Sequence, residues 1–267
     1  MPTLRERKPI YAAPPRVRKV PTRDAAEPGR ERKLRAEARL ARAVKHYLQA
    51  QRARVGMVAQ MVGAYKALPP GVAEQIEQAL LNAQDNDAAI AAVARVLEGV
   101  AGDGVDMFAD EAGFDVDWEL VNDKAAKWAR KQAGALIADI NATTLKLVRN
   151  SIGAYIDTPG MTLGDVVKRL GKTFDVRRAL RVAVTEVTRA YAEANQIAAD
   201  ELAKEWPSVQ VVKEWHTNND DRVCPLCGPL DGRQVGPGES FGEFENPPAH
   251  PNCRCWVTHR TESNDSD

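Results

Sequence analysis

The sequence predicts a mainly α protein. Long helices form an elongated helical body, and a small β-rich C-terminal module, stapled by cysteine and histidine, completes an α+β chain. Three observations carry this. The chain is rich in charge (28%) and poor in aromatics (6%), a balance that suits long helices. Apolar residues recur at intervals of three and four over long stretches. After Pro207 the pattern turns β-branched and aromatic, and all four cysteines fall there.

The 267 residues accommodate one large domain or two small ones. No run of about 18 apolar residues exists, so no membrane helix is expected. The basic N-terminus lacks the apolar core of a secretory signal. Synthesis inside a cell is the expectation, and there cysteines serve as thiolates more often than as a disulfide framework. The formal net charge of zero hides an asymmetry: residues 1–54 carry sixteen Lys/Arg against five acids, and from Gly71 to Asp123 almost every charge is negative.

Residues 1–30 hold six prolines among basic residues, which prevents a helix or central strand. Little is available to bury, so a disordered basic arm is expected. Arg5, Arg7, Lys8, Arg16, Arg18 and Lys19 would lie against an anionic surface, nucleic acid or an acidic protein face; a solvated terminus is the plain alternative. Residues 31–157 form the helical N-terminal region. A first helix is expected from about Glu31 to Leu68, with Leu34, Leu40, Val44, Tyr47 and Leu48 inward and Pro69–Pro70 as the stop. Its arginines suit phosphate contact or a solvated face. Two short helices follow, one marked by Val72, Ile76 and Leu80. The other is marked by Ile90, Val93 and Leu97, capped by Asp87 and ended by Gly99–Gly104.

A longer helix spans about Asp117 to Ile156 along Trp128, Leu136, Ile140, Leu147 and Ile152, and Asp157–Gly160 turns the chain. Thr162 and Asp165 form a capping box. The last helix runs from about Thr173 to Glu205. Its stripe is Val176, Leu180, Val184, Val187, Tyr191, Ala194, Ala198 and Leu202. Val209–Trp215 reads as a strand, Asp231–Gly232 as a tight turn, and Cys255–Thr258 as a final short strand. Residues 261–267 are a polar tail.

A module of about 50 residues buries little apolar surface and calls for a staple. Cys224 and Cys227 have the spacing of a zinc knuckle. His250, Cys253 and Cys255 stand downstream. Tetrahedral zinc takes four ligands, so four of these five would hold it. If extended, the stretch from Cys253 to Cys255 points its two thiols to opposite faces. Disulfides or reduced buried thiols are the alternative. A catalytic zinc needs an open position and a general base, and no recognised spacing places Glu243 or Glu245 for that. His216 and His259 match no ligand spacing. Asp220–Asp221 is expected to shape the turn before the knuckle.

The segment from Trp215 to Cys255 resembles the phage Mu protein F-like head morphogenesis family. The pattern is filled by Trp215, Asp220 or Asp221, Arg222, Cys224, Cys227, Leu230, Asp231, Gly232, Phe241, Pro247, Pro248, His250, Pro251, Asn252, Cys253, Arg254 and Cys255. Thr185–Glu186 and Arg189–Ala190–Tyr191 are similar to the preceding helical motif, although Val184 stands where that motif has arginine. The likeness covers roughly residues 162–260, with the Cys/His cluster at 215–259. It implies a minor capsid protein of a tailed bacteriophage that associates with the portal vertex and acts in head assembly or DNA delivery. The partners implied are the portal protein, capsid or scaffolding proteins and, through the basic arm, DNA, with no membrane. The location implied is the virion, after assembly in the host cytoplasm. A zinc-stapled DNA-binding protein or a His-Asn-His-type nuclease is the alternative. The nuclease reading needs a separate base histidine, so no enzyme is expected. The short polar stretch after the cluster weighs against a fused toxin.

Overall fold

A computed structural model describes residues 27–63, 77–78, 80–112 and 116–263. Five α-helices and a small sheet make up this part: α1 (Arg30–Gly63), α2 (Ala83–Ala112), α3 (Trp118–Asp157), α4 (Leu163–Gly171), α5 (Val176–Glu205), β1 (Val209–His216), β2 (Gln234–Val235) and β3 (Trp256–Ser263). The six basic residues expected to touch a partner, the helix around Val72 and Ile76, and residues 264–267 lie outside the described residues.

The caps follow local chemistry. Asp117 accepts the N–H of Leu120 at the head of α3, and Thr162 and Asp165 form the expected reciprocal box at α4. A 3-10 turn, Lys172–Phe174, precedes α5, so that helix begins at the cap Asp175 rather than at Thr173. Asn82, not Asp87, caps α2, accepting the N–H of Asp85 at 3.1 Å.

The expected short helix ended by glycines is instead one helix of 30 residues. Its glycines are interior, and Gly104 has a packing role. A Cβ there would lie 2.9 Å from the Ala194 Cβ and 3.3 Å from the Tyr191 carbonyl oxygen on α5. The glycine lets two helix backbones approach.

Alanine works the same way elsewhere and shifts the buried faces from those expected. On α5 the inner face begins with Ala179 and Ala183, while Val176 and Leu180 are 45% and 48% exposed. On α3 it runs through Ala125, Ala129, Ala133, Ile137, Ile140, Thr144 and Val148, and Leu147 is exposed. On α1, Leu34 is 53% exposed and its neighbour Lys33 is buried, where its Nζ bonds Glu27 at 2.5 Å. A small side chain buries little area but permits close approach and dense dispersion contact.

α5 packs against α1, α2 and α3. A buried polar seam adds register between α1 and α3. Tyr47 donates to Asn141 Oδ1 at 2.5 Å, and Gln51 Nε2 donates to the same oxygen at 2.7 Å. Arg178 donates to Thr144 Oγ1 at 3.1 Å and to the Ile140 carbonyl at 3.2 Å. Every member has a partner, the condition under which such a seam fixes one alignment.

The sheet has the order β2-β1-β3, both pairings antiparallel. β3 is longer than expected. The chain from Thr258 to Ser263 pairs along β1 to Val209, so the first residues of the expected polar tail, Thr261–Ser263, are strand. On β1, Val211, Lys213 and Trp215 share the buried face. Val211 belongs to the helical core and Trp215 to the core of the module. His259 on β3 is buried edge-on to Phe108 of α2, centroids 5.4 Å apart. Burial holds its pKa down at about 3.

Two outcomes follow from these contacts. Gly102→Ala, where nothing lies within 4 Å, is expected to raise stability in urea unfolding by about 0.5–1 kcal/mol, whereas Gly104→Ala lowers it by about 1–3 kcal/mol. Below an unfolded pKa of about 6.5 the unfolded chain takes up a proton that folded His259 refuses until about pH 3. Stability therefore falls by about 1.4 kcal/mol per pH unit through that window, and His259→Phe removes this component of the acid sensitivity.

Candidate metal centre

The module is built outward from β1. Trp215 is fully buried, edge-on to Phe241 with centroids 5.3 Å apart. After β1 the chain is caught by Asp231, whose Oδ1 accepts from Thr217 N–H at 2.8 Å and Thr217 Oγ1 at 3.0 Å. Leu230 is buried beneath it. Gly232 turns at φ +75, and the Arg233 N–H returns to the Leu230 carbonyl at 2.9 Å. The sequence Leu-Asp-Gly is thus a plug, a clasp and a turn, with a positive φ that suits glycine.

The knuckle lies between these points. The Cys224 carbonyl accepts the N–H groups of Cys227 and Gly228 at 3.1 and 3.0 Å. The Cys227 N–H also points at Cys224 Sγ, 3.4 Å away. Such N–H donors favour a thiolate, and Cys224 is lowered from its ordinary pKa despite the opposing effect of burial.

The second half returns through a reversal. Asn252 sits at φ +65, and the Cys253 N–H bonds the His250 carbonyl at 3.1 Å. The thiols of Cys253 and Cys255 do not point to opposite faces, as an extended stretch would require. They converge with Cys227. His250 Nδ1 donates to the Pro251 carbonyl at 2.9 Å, which leaves Nε2 facing Cys224 and Cys227 Sγ at 3.1 and 3.3 Å. A hydrogen bond at one ring nitrogen fixes the other as the ligand. Arg254 closes the two halves, its Nη2 reaching both oxygens of Asp220 at 3.1 and 2.9 Å. Of the two adjacent aspartates, Asp220 makes this link and also accepts the Arg222 N–H at 3.0 Å, shaping the turn.

All five candidate donors therefore meet. They form two overlapping triads, Cys224–Cys227–His250 and Cys227–Cys253–Cys255. Cys227 and Cys253 Sγ are 3.9 Å apart, close to the edge of about 3.8 Å that Zn–S bonds of ~2.3 Å give in a tetrahedron. Cys253 is pulled down to about 5, chiefly because Cys255 donates its S–H to it. Burial and the Cys253 charge push Cys227 up to about 12, and Cys255 is also raised, first by its bond to Cys253. Thiolate is thus favoured at Cys224 and Cys253, while Cys227 and Cys255 hold their protons more tightly. Soft sulfur with imidazole is a donor set that suits zinc.

The two flanking histidines are not donors to the cluster. His259 is in the core, and His216 stacks on Trp256 at 5.5 Å and bonds Thr258 at 2.7 Å. Several residues that hold the module were not anticipated. Thr188 Oγ1 donates to the Cys253 carbonyl at 3.1 Å. Gln196 accepts from Lys213 Nζ at 3.1 Å and donates to the Pro237 carbonyl at 2.9 Å. The signal was available: Thr185, Thr188 and Asn195 form a polar line at helical spacing beside the apolar face of α5.

A helical body carrying a docked sheet module, with Cys/His donors converging from two loops, defines the class. Residues 157–258 match the family described as phage Mu protein F like protein. The match covers well under half of the chain and leaves α1, α2 and most of α3 outside. No curated protein and no solved structure matches.

Purified protein is expected to contain about one zinc per chain by elemental analysis. Cys224→Ser should lose it, together with the near-ultraviolet signal of buried Trp215.

Proposed function

We propose that this chain is a minor head protein of a tailed bacteriophage, acting at the portal vertex in head assembly or DNA delivery. The observation that carries the reading is the family match over residues 157–258, and the whole pattern from Trp215 to Cys255 folds as one unit around the cysteines. The proposed cofactor is one structural zinc, held by Cys224, Cys227, His250 and Cys253. Cys255 remains a thiol donating to Cys253. Zinc there would supply charge to hold the thiolates together, and the chain's own part is to present four donors with no open position. His250 faces the cysteines, His216 bonds Thr258 and His259 is shut away from solvent, which supports a role without catalysis. No helix among the described residues is long and apolar enough to cross a membrane.

Contact with DNA or the portal is proposed for the basic N-terminal arm, and α1 extends that charge. From Arg39 to Gly63 this helix has no acid. Arg39, Arg42, Lys45 and Arg52 are exposed. Arg39, Arg42 and Lys45 follow at intervals of three, a like-charge spacing that weakens an isolated helix and is relieved by phosphate.

Retention of double-stranded DNA on filters at low salt should fall steeply as salt rises. Arg39→Glu/Arg42→Glu/Lys45→Glu should flatten the log–log salt slope by about 3. No retention at about 50 mM salt by wild type, with portal capture unaffected by deletion of residues 1–30, would remove both roles of the basic region.

A further inference from the structure

We infer that Thr185 and Thr188 of α5 are positioning residues for the metal-binding loop, so that the helical body, and not the module alone, sets the ligand geometry. This rests on the zinc reading above. The Asn252 N–H donates to Thr185 Oγ1 at 2.8 Å, and Thr188 Oγ1 donates to the Cys253 carbonyl at 3.1 Å. The two contacts hold the peptide units on either side of the Asn252–Cys253 bond. That bond lies inside the reversal that brings His250 and Cys253 to the knuckle.

The helix fixes both hydroxyls. Thr185 Oγ1 gives its own proton to the Arg181 carbonyl at 2.7 Å, so its lone pairs are left to receive Asn252. Thr188 is fully enclosed, and its hydroxyl proton goes across to the loop. At a separation of three residues both side chains stand on one face of α5. The adjacent Glu186 faces the body instead, accepting from Gln132 Nε2 of α3 at 2.7 Å. Thr185 and Glu186 therefore tie the same turn of α5 to the metal loop and to the helical core. The left-handed Asn252 is a conformation that costs free energy in most residues, and an external acceptor for its N–H stabilises it.

The test uses the full chain, with cobalt as a spectroscopic probe for zinc and zinc affinity read by competition with a chromophoric chelator. Thr185→Val/Thr188→Val keeps shape and helix propensity but removes both hydroxyls. Thr185→Ser/Thr188→Ser keeps the hydroxyls. The wild type should give the visible bands of tetrahedral thiolate-bound cobalt. The valine pair should weaken zinc binding by about 10–100-fold with altered cobalt bands and unchanged helical circular dichroism, and the serine pair should restore both. If the valine pair costs helical signal, Thr185→Val alone, at a half-exposed position, should show the same weakening in part. Wild-type affinity and bands in the valine variants would overturn the inference while leaving the metal site intact. A wild type without cobalt bands would overturn the zinc reading, and this inference with it.

Discussion

Everything in this molecule leans on α5. One side of the helix is an alanine face, and small residues at Ala179, Ala183, Ala190, Ala194 and Ala198 let α1, α2 and α3 come close. The approach is close at Gly104, where a single added carbon meets Ala194. A neighbouring face carries Thr185, Thr188 and Gln196, whose polar atoms hold the sheet module and its loops. Polar groups at such a junction must be satisfied by partners, and the partners include backbone atoms of Asn252, Cys253 and Pro237. One helix thus transmits the order of the body to the place where the cysteines meet.

The cysteine cluster solves a different problem. The module has a small core around Trp215, Phe241, Leu230 and Val257, little apolar area to fix two long irregular loops. Asp220 with Arg254 joins the two halves from outside, and Asp231 with Thr217 anchors the chain leaving β1. Trp215, Asp220, Asp231, Gly232 and Arg254 of the family pattern thereby acquire a mechanical reason. The sulfurs meet where the two halves join, with Cys227, Cys253 and Cys255 converging there.

The class of the fold, the capping box at Thr162 and Asp165, and the presence of a Cys/His cluster were legible in the sequence. The helical faces were less so. Reading Val176, Leu180, Leu147 and Leu34 as core assumed that the largest apolar residues mark the interior, whereas closely packed helices place alanine and glycine there. Gly99–Gly104 read as a stop because glycine weakens an isolated helix, a preference that packing against α5 overrides. The pairing of Thr261–Ser263 was hidden because polar residues at the end of an antiparallel strand carry no apolar alternation. The loop that carries Cys253 is also held by Thr185, 67 positions earlier in the chain, through the Asn252 N–H, a contact no local pattern reveals.

The central claim is that the cluster is a closed structural site rather than an open catalytic one. X-ray absorption at the zinc edge of the purified protein tests it most directly. The account predicts three sulfur scatterers near ~2.3 Å and one nitrogen near ~2.0 Å, without oxygen. Zinc with an oxygen ligand in the fourth position, or protein that folds fully without zinc, would contradict it.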